Sequence, residues 1–298
     1  MTRLAKLLPT VAVAAALTAC GSAGPKRPSD ESSPLDFAYD TSAPLRYVDH
    51  GRINARSYPI AVHDVSFASR GRTIEGYLLV PSGSIRRPAV VFVHGSGGDR
   101  SELLGEAAAL ASRHVVTLTL TAPSHSVTTT ASTIDALLAQ ARSLTVNDVV
   151  AVRRAVDVLQ TLPAVDPHRI GYVGWSAGAR LGAIVAGSEP RISAFVLVSA
   201  GAEPISAFVA QAPAGAKLRV RRVLGSVDPL RYVALARPGS LLLEDGRRDE
   251  VVPHAALLNV VHAASGTTVR WYDAPHELSR KAYRDAFDWL AKKLPIDS

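Results

Sequence analysis

Residues 171–180 read GYVGWSAGAR. Ser176 stands between Gly174 and Gly178 in the pattern G-x-S-x-G, directly after the apolar run Ile170–Val173. A serine at a sharp turn between a strand and a helix needs very small neighbours, because other backbone passes close on both sides. Such a turn lifts the hydroxyl above the edge of a sheet. An ordinary glycine-containing turn could have the same sequence. The rest of the chain must therefore decide between such a turn and one that presents a reactive serine.

The chain around Ser176 alternates short apolar runs with helical patterns. Runs of strand length are Ala89–Val93, Val115–Leu120, Ile170–Val173, Ala194–Val198, Leu241–Leu243 and Thr268–Tyr272. Helical patterns lie at Ser101–Ala111, Asn147–Leu159, Leu181–Ala186, Val252–Ala264 and Leu278–Lys292. This alternation predicts an α/β fold, with a mostly parallel central sheet and helices on both faces. Ala61–Phe67 and Thr73–Val80 predict an antiparallel hairpin at the N-terminal edge.

Composition indicates one ordinary globular domain. The chain has 298 residues, of which 47% are hydrophobic and 20% charged, with a formal net charge of +7. The basic residues are scattered in pairs such as Arg86-Arg87, and no basic stripe alternates with aromatic residues. We therefore expect no nucleic-acid partner. A solvated basic surface is the simpler interpretation, and it suits a position near an anionic membrane.

The N-terminus predicts the compartment. Arg3 and Lys6 precede an apolar segment, residues 7–19, that has the charge and length of a secretory signal peptide and is short for a membrane span. The segment ends in LTAC, which resembles a bacterial lipobox, and Cys20 is the only cysteine. We therefore predict a signal peptide over residues 1–19 and a lipidated Cys20 that anchors the protein outside the cytoplasm. A chance cysteine after an ordinary signal peptide would instead give a secreted protein.

Two further segments stand apart from the alternating pattern. Residues 20–44 begin with a run rich in Gly, Pro and Ser, which predicts a flexible tether before a domain at 45–298. Residues 203–237 contain several prolines and no clear period. We expect this stretch to be an insertion over the sheet edge or a short lid.

A serine nucleophile needs a base, a group that orients the base, and N–H donors for an oxyanion. Ligands of a parallel sheet bind at the carboxyl ends of its strands, so the candidates should directly follow predicted strands. HGSGG at 94–98 follows the run AVVFV. We expect the amides of Ser96 and Ala177 to bind the oxyanion and Gly97 to contact the substrate. Trp175 would line the substrate pocket or face the core. A phosphate loop is disfavoured because no Gly-Lys-Ser/Thr follows.

The base and the orienting acid have fewer candidates. His276 lies in the loop between the run Thr268–Tyr272 and the last helical pattern, whereas the two other late histidines fall in a helical pattern. Asp245 and Asp249 both follow the run SLLLE. Residue chemistry alone does not choose between these two carboxylates, since either could reach a histidine from the strand end.

The chain order Ser, Asp, His resembles that of the α/β-hydrolases. The matching stretches are FVHGSGG, VDPHRIGYVGWSAGA, DPLRYVALARPGSLLLEDGRRDEVVP and YDAPHEL, spread over about Val62 to Leu294. They resemble most the dienelactone-hydrolase and acyl-peptidase-like branch, whose acid stands in a Gly-x-x-Asp-x-Val-Pro-like turn. The resemblance implies an α/β-hydrolase fold, Ser176 as nucleophile, His276 as base and Asp249 as the acid. Dienelactone hydrolases proper use a cysteine, so Ser176 argues against that activity.

The resemblance implies a serine hydrolase that acts on small carboxylic esters, with no metal or cofactor. The predicted lipid anchor at Cys20 would hold it at the cell envelope. An acyltransferase or a peptidase would use the same three residues, and the motifs do not separate these activities. A silent hydrolase fold that binds envelope components is a further alternative. The presence of all three triad residue types argues against it.

Overall fold

A computed structural model of the chain describes residues 37–54, 58–128 and 131–295. Its strands, in chain order, are β1 (Val48–Arg52), β2 (Val62–Ser69), β3 (Arg72–Leu79), β4 (Arg87–Val93), β5 (Val116–Leu120), β6 (Val165–Trp175), β7 (Ile192–Val198), β8 (Leu241–Gly246) and β9 (Thr268–Tyr272). They form one nine-stranded sheet in the order β1-β2-β3-β5-β4-β6-β7-β8-β9. The pairs from β5 to β9 are parallel, and the pairs among β1, β2, β3 and β5 are antiparallel. The predicted mostly parallel sheet is confirmed.

The predicted N-terminal hairpin is confirmed as β2 and β3. Ser69 pairs with Arg72, so only Arg70 and Gly71 form the turn. Both turn residues have positive φ, 47° and 73°. Two central residues with positive φ are typical of the type I′ turn, whose twist matches that of the flanking strands. β1, which the sequence did not predict, adds a further antiparallel strand at this edge.

Helices cover both faces of the sheet. They are α1 (Leu104–Ala111), α2 (Ile134–Thr161), α3 (Ala177–Ala186), α4 (Ile205–Gln211), α5 (Lys217–Gly225), α6 (Pro229–Val233), α7 (His254–Ala263) and α8 (Arg280–Lys293). In β4, Val91 and Val93 pack towards α2 and α3, while Val90 and Phe92 pack towards α1 and α8. All seven residues of β4 are buried. The continuous apolar run therefore reflects a strand that is covered on both sides.

The predicted boundary between tether and domain at residue 45 is wrong. Phe37 is only 3% exposed, and its ring packs against Tyr232 with 5.2 Å between the ring centroids. The hydroxyl of Tyr39 donates to Asp157 on α2 at 2.8 Å. Residues 37–44 thus belong to the domain, because these two aromatic side chains bury surface that a tether would leave in water.

The remaining N-terminal predictions fall outside the described residues. These are the signal peptide at 1–19, the lipidation of Cys20 and the tether over 20–36. Within the three described ranges, no helix combines the length and the apolarity that crossing a bilayer requires.

Helix α2 begins well before the predicted start at Asn147. It is 28 residues long, and the hydroxyl of its N-cap, Thr133, accepts the amide of Ala136. Asn147 lies inside the helix, where its side chain accepts a hydrogen bond from Arg70 at 3.0 Å. The first turns were missed because they pack against other helices, with Leu138 in a separate small cluster, instead of covering the sheet.

The predicted insertion at 203–237 is mostly helical. Its first part, which we call the cap segment, runs from Ile205 to Gly225 and contains α4, a short 3₁₀ turn at Ala214–Ala216 and α5. The cap segment packs against the N-terminal part of α2 through Ala216, Val220 and Leu138. The second part, α6, belongs to the main core, where Tyr232 and Val233 are fully buried.

Candidate active site

Ser176 occupies a strained turn between β6 and α3. Its backbone has φ 55° and ψ −114°, a region that residues other than glycine rarely adopt. Its amide donates to the carbonyl of Val198 in the neighbouring strand β7 at 2.8 Å. The predicted sharp turn between strand and helix is therefore present, and it raises the hydroxyl at the carboxyl edge of the sheet.

The two glycines of G-x-S-x-G are required because the neighbouring backbone leaves no room for a side chain at either position. A Cβ atom added to Gly174 would lie 2.5 Å from the carbonyl carbon of Gly178, and one added to Gly178 would lie 2.2 Å from the carbonyl oxygen of Val93. Backbone atoms occupy both positions, so no rotamer change relieves the overlap. The plain glycine turn is excluded by this packing, because α3 starts in direct contact with β4 and β6.

Ser176, His276 and Asp249 form a chain of hydrogen bonds. Ser176 Oγ is 2.9 Å from His276 Nε2, and His276 Nδ1 is 2.7 Å from Asp249 Oδ2. An ionised carboxylate only accepts hydrogen bonds, so Nδ1 carries the proton and Nε2 is left to accept the serine hydroxyl. In this tautomer the imidazole can act as a base towards Ser176.

The Asp249 side chain is fixed from several directions. It is 1% exposed, and its Oδ1 atom accepts the amides of Val251 and Val252, both at 2.8 Å. Gly246 lets this loop approach the one that carries His276, since a Cβ there would lie 2.4 Å from the carbonyl oxygen of Pro275. The carboxylate thus meets three N–H donors and holds the imidazole in one orientation.

The other candidate carboxylate, Asp245, makes no hydrogen bond to His276 within the described ranges. It is 1% exposed, and within the described ranges its Oδ1 atom has no hydrogen-bond partner. Burial raises the pKa of Asp245 to about 7, the Ala200 amide opposes that shift, and the charge of Asp249 adds to it. The structure therefore brings Asp249, and not Asp245, against His276.

Trp175 and Ser199 contact the backbone of His276. The indole Nε1 of Trp175 donates to the His276 carbonyl at 3.3 Å, and Ser199 Oγ donates to the same oxygen at 2.9 Å. The Trp175 ring also lies beneath Gly95, where a Cβ would come within 2.8 Å of it. Ser199 was not predicted, although its place directly after β7 was a signal. A substrate contact of Trp175 stays a prediction.

The loop after β4 is held in place by His94. This side chain is buried, its Nδ1 lies 2.6 Å from the Gly95 carbonyl, and its Nε2 accepts the amide of Ala122 at 2.9 Å. Burial lowers the pKa of His94, so the ring is neutral with its proton on Nδ1. Gly97, with φ 72°, and the bond from the Gly98 amide to the Gly95 carbonyl complete a tight turn.

The two expected oxyanion donors lie at the same edge of the sheet. β4 and β6 are parallel neighbours, with Val93 opposite Gly174. Ser96 and Ala177 each follow these positions by three residues, and Ala177 opens α3, whose N-terminus favours negative charge. Their amides, like the substrate contact of Gly97, stay predictions. In the described ranges, no group of three or more His, Cys, Asp or Glu residues is placed to hold a metal ion.

Several solved structures share this architecture. The acetyl xylan esterase from Paenibacillus sp. R4 superposes with a TM-score of 0.69 at 20% identity, over 84% of this chain and 90% of that one. Acetyl xylan esterase 1 from Thermoanaerobacterium sp. JW/SL YS485 gives 0.70 at 18% identity, over 88% and 95%. The acylaminoacyl peptidase of Pyrococcus horikoshii gives 0.61 at 16% identity, over 79% of this chain and 42% of the peptidase. At these identities the likeness establishes the fold alone.

Sequence comparison gives the family. No curated protein matches the chain significantly. The profile of the Alpha/beta hydrolase family matches residues 90–293, which is more than half of the chain and contains Ser176, Asp249 and His276. The nine-stranded sheet and the turn at Ser176 agree with that match. The chain belongs to the alpha/beta hydrolase family.

Proposed function

We propose that the protein is a serine hydrolase that cleaves carboxylic esters through a covalent acyl-enzyme. The observation that carries the proposal is the continuous chain of hydrogen bonds from Ser176 Oγ through His276 to Asp249, at 2.9 and 2.7 Å. The proposal is also supported by the strained turn that carries the hydroxyl, by the position of the imidazole between Ser176 and the carboxylate, and by the N–H donors around that carboxylate.

In the first half of the reaction, Ser176 Oγ attacks the ester carbonyl carbon while His276 Nε2 takes the hydroxyl proton. Asp249 stabilises the imidazolium that forms. The carbonyl oxygen becomes an oxyanion, for which the amides of Ser96 and Ala177 are the candidate donors. Collapse of the tetrahedral intermediate breaks the bond to the alcohol oxygen, which leaves with the proton from Nε2.

In the second half, water replaces the alcohol. His276 Nε2 takes a proton from the water as its oxygen attacks the acyl carbon, and the same oxyanion donors serve again. The intermediate expels Ser176 Oγ, which regains a proton from Nε2, and the carboxylic acid departs. An acceptor alcohol in place of water would give the transferase that uses the same residues.

Esters are the substrate class that the comparisons favour. Two of the similar structures are named as acetyl xylan esterases, whereas the peptidase is matched over only 42% of its length. The resemblance of the motifs to the dienelactone-hydrolase and acyl-peptidase-like branch supports the same broad class. Short-chain esters are therefore the first substrates to test.

Replacing Ser176 by Ala should remove activity and leave the fold intact. We expect kcat to fall on the order of a million-fold, because the triad acts as a unit. The Ser176 side chain makes no capping hydrogen bond to α3, so the melting temperature should not fall. Hydrolysis of p-nitrophenyl acetate and circular dichroism are the two measurements. Near-normal turnover by the purified variant would contradict the proposal.

Asn substitutions distinguish the two carboxylates. Asp249→Asn should lower kcat on the order of 10⁴-fold, because an amide favours the wrong imidazole tautomer. Asp245→Asn is the matched control and should retain most of the activity. The reverse ranking in steady-state kinetics would assign the orienting role to Asp245.

The control variant also tests the burial of Asp245. Its raised pKa, about 7, means that the folded state favours the protonated acid. Wild-type stability should therefore decline between about pH 4, where the unfolded acid titrates, and about pH 7, and then level off. Asp245→Asn should lessen that decline in thermal unfolding measured across this range. An unchanged pH profile would contradict the shift.

We further propose that Cys20 is lipidated and anchors the enzyme on the outer face of a membrane. LTAC after an apolar segment supports this, as does the absence of any other cysteine in the chain. A diacylglycerol on this cysteine would anchor firmly, whereas a single acyl chain binds only marginally. Because residues 21–36 join the lipidated Cys20 to the domain, the hydrolase would stay close to esters derived from the cell envelope.

Cys20→Ser should abolish detergent partitioning and fatty-acid labelling in the native host. Hydrolysis of a soluble ester should not change, because Cys20 precedes the described domain. Phase separation in Triton X-114 and intact-mass spectrometry measure the two effects. A wild-type protein that stays in the aqueous phase with unmodified Cys20 would indicate a secreted enzyme instead.

A further inference from the structure

The outer face of α5 carries three basic residues around one leucine. Lys217, Leu218, Arg221 and Arg222 are all exposed. At 3.6 residues per turn these four side chains fall within an arc of roughly 140°, with Leu218 between Arg221 and Arg222. The helix therefore presents one compact surface, which we call the α5 face.

The inner side of α5 fixes that surface to the domain. Val220 is 6% exposed and clusters with Leu138 of α2 and with Ala216, and Val223 and Leu224 pack against the same cluster. Apolar residues at this spacing anchor one side of the helix. The α5 face is thus held in a defined orientation.

The basic side chains of the α5 face have no internal partner. Arg219, at its border, pairs with Asp135 at 2.8 Å. Across residues 37–54, 58–128 and 131–295, by contrast, no hydrogen bond or ion pair engages the side chains of Lys217, Arg221 or Arg222. Three unneutralised cations on two turns of helix attract an anionic partner.

Leu218 identifies the kind of anionic partner. It is 68% exposed, the highest value among the large exposed hydrophobic residues of the described chain. A soluble acidic polymer offers no apolar region for such a side chain. A membrane offers phosphate groups for the cations and an apolar layer beneath them. We propose that the α5 face docks on the anionic headgroups of a lipid membrane, with Leu218 inserted at the acyl boundary.

This docking would orient the candidate active site. The cap segment leaves the sheet just after β7 ends, at the carboxyl edge where Ser176 lies. It packs on the first turns of α2, which start at that same edge. A protein bound through the α5 face would therefore hold the cap segment, which follows this edge in the chain, against the bilayer. Membrane docking through the α5 face does not depend on the chemistry of the triad.

Vesicle binding by matched variants tests the proposal. The first variant combines Lys217→Gln, Arg221→Gln and Arg222→Gln. The control removes three exposed cations from other surfaces, by Arg52→Gln, Arg86→Gln and Lys292→Gln, so both variants have the same net charge. Both carry Cys20→Ser in the predicted mature chain, which begins at residue 20, so that neither a lipid nor the apolar segment 7–19 contributes to binding.

Partitioning is measured by co-sedimentation with vesicles of phosphatidylcholine, with and without phosphatidylglycerol. The α5 variant should lose on the order of 100-fold in partitioning onto the anionic vesicles, given about a fivefold contribution from each basic residue near the surface. The control variant should lose much less. An equal loss in both variants would show that only net charge matters and would overturn the proposal.

A Leu218→Ser variant separates a membrane from an acidic polymer. We expect weaker partitioning onto anionic vesicles with unchanged retention on heparin, since a polyanion needs no apolar contact. Unchanged partitioning of Leu218→Ser, together with loss of heparin retention in the α5 variant, would assign the surface to a soluble polyanion. Melting temperatures of all variants exclude unfolding as the cause.

The side chain of Glu102 contacts the turn after β4. Its Oε2 atom accepts the Gly95 amide at 2.8 Å. A Cβ on Gly98 would lie 2.3 Å from the same oxygen, so the carboxylate fills the inside of the turn that contains Ser96. The backbone just before Glu102 is fixed by Asp99, whose side chain accepts hydrogen bonds from the amide and the hydroxyl of Ser101, at 2.7 and 2.6 Å.

On the basis of the proposed function, we infer that Glu102 is a positioning residue for the oxyanion-binding turn. Its contact orients the His94–Gly95 peptide on one side of Gly95. On the other side, His94 Nδ1 and the Gly98 amide hold the Gly95 carbonyl, which belongs to the same peptide unit as the Ser96 amide. With both sides of Gly95 held, the direction of the Ser96 amide is set. The carboxylate touches neither Ser176 nor His276 by a hydrogen bond within the described ranges. Its effect should therefore be on the oxyanion and not on the nucleophile.

Glu102→Ala should lower kcat on the order of 10- to 100-fold with little change in KM, because the turn loses alignment that matters only in the transition state. The affinity of a boronic acid, which places a hydroxyl at the oxyanion position, should fall in parallel. Glu102→Gln keeps an acceptor oxygen and should restore most of both values. Glu106→Ala, one helical turn further on, is the control and should behave as wild type.

A Glu102→Ala enzyme with wild-type kcat and boronic-acid affinity would overturn this inference. So would a loss confined to KM. Failure of the proposed function would look different, because the wild-type protein would then lack hydrolysis that depends on Ser176.

Discussion

The site depends on the close approach of α3 to the parallel strands at Ser176. Gly174 and Gly178 leave room for backbone atoms at 2.5 and 2.2 Å from where their Cβ atoms would be, and the Ser176 amide is tied to Val198. Holding a serine at φ 55° costs about 1–3 kcal/mol, which the buried strands on either side must offset. That geometry places both the hydroxyl and the Ala177 amide at one edge.

Parallel pairing brings the other groups to the same edge. His94, Ser199 and Asp249 follow the ends of β4, β7 and β8, and His276 follows β9, so residues far apart in the chain meet at the ends of adjacent strands. The loops then fix each side chain by backbone contacts, as with the two amides on Asp249 and the two donors on the His276 carbonyl. Backbone contacts of this kind hold the side chains in defined orientations, as the proposed reaction requires of the groups that bind its oxyanion.

The features that the sequence predicted share one cause, and the missed ones share another. Strands buried on both faces appear as continuous apolar runs, and the turn at Ser176 requires its glycines, so both could be read from the residues. The cap segment and the first turns of α2 pack on each other, which weakens their period, and Phe37 binds the core from a polar stretch. Residue chemistry could not choose between Asp245 and Asp249, although the resemblance implied Asp249. Both side chains are buried, and it is the 2.7 Å hydrogen bond to His276 that distinguishes Asp249.

The central claim is that Ser176 is an activated nucleophile, and covalent trapping tests it most directly. The wild-type protein is incubated with a fluorophosphonate and digested, and the modified peptide is sequenced by mass spectrometry. We expect one adduct per chain, on Ser176, with labelling strongly slowed by His276→Ala, because Nε2 is then no longer there to accept the proton. An unlabelled folded protein, or an adduct on another serine such as Ser96, would contradict it.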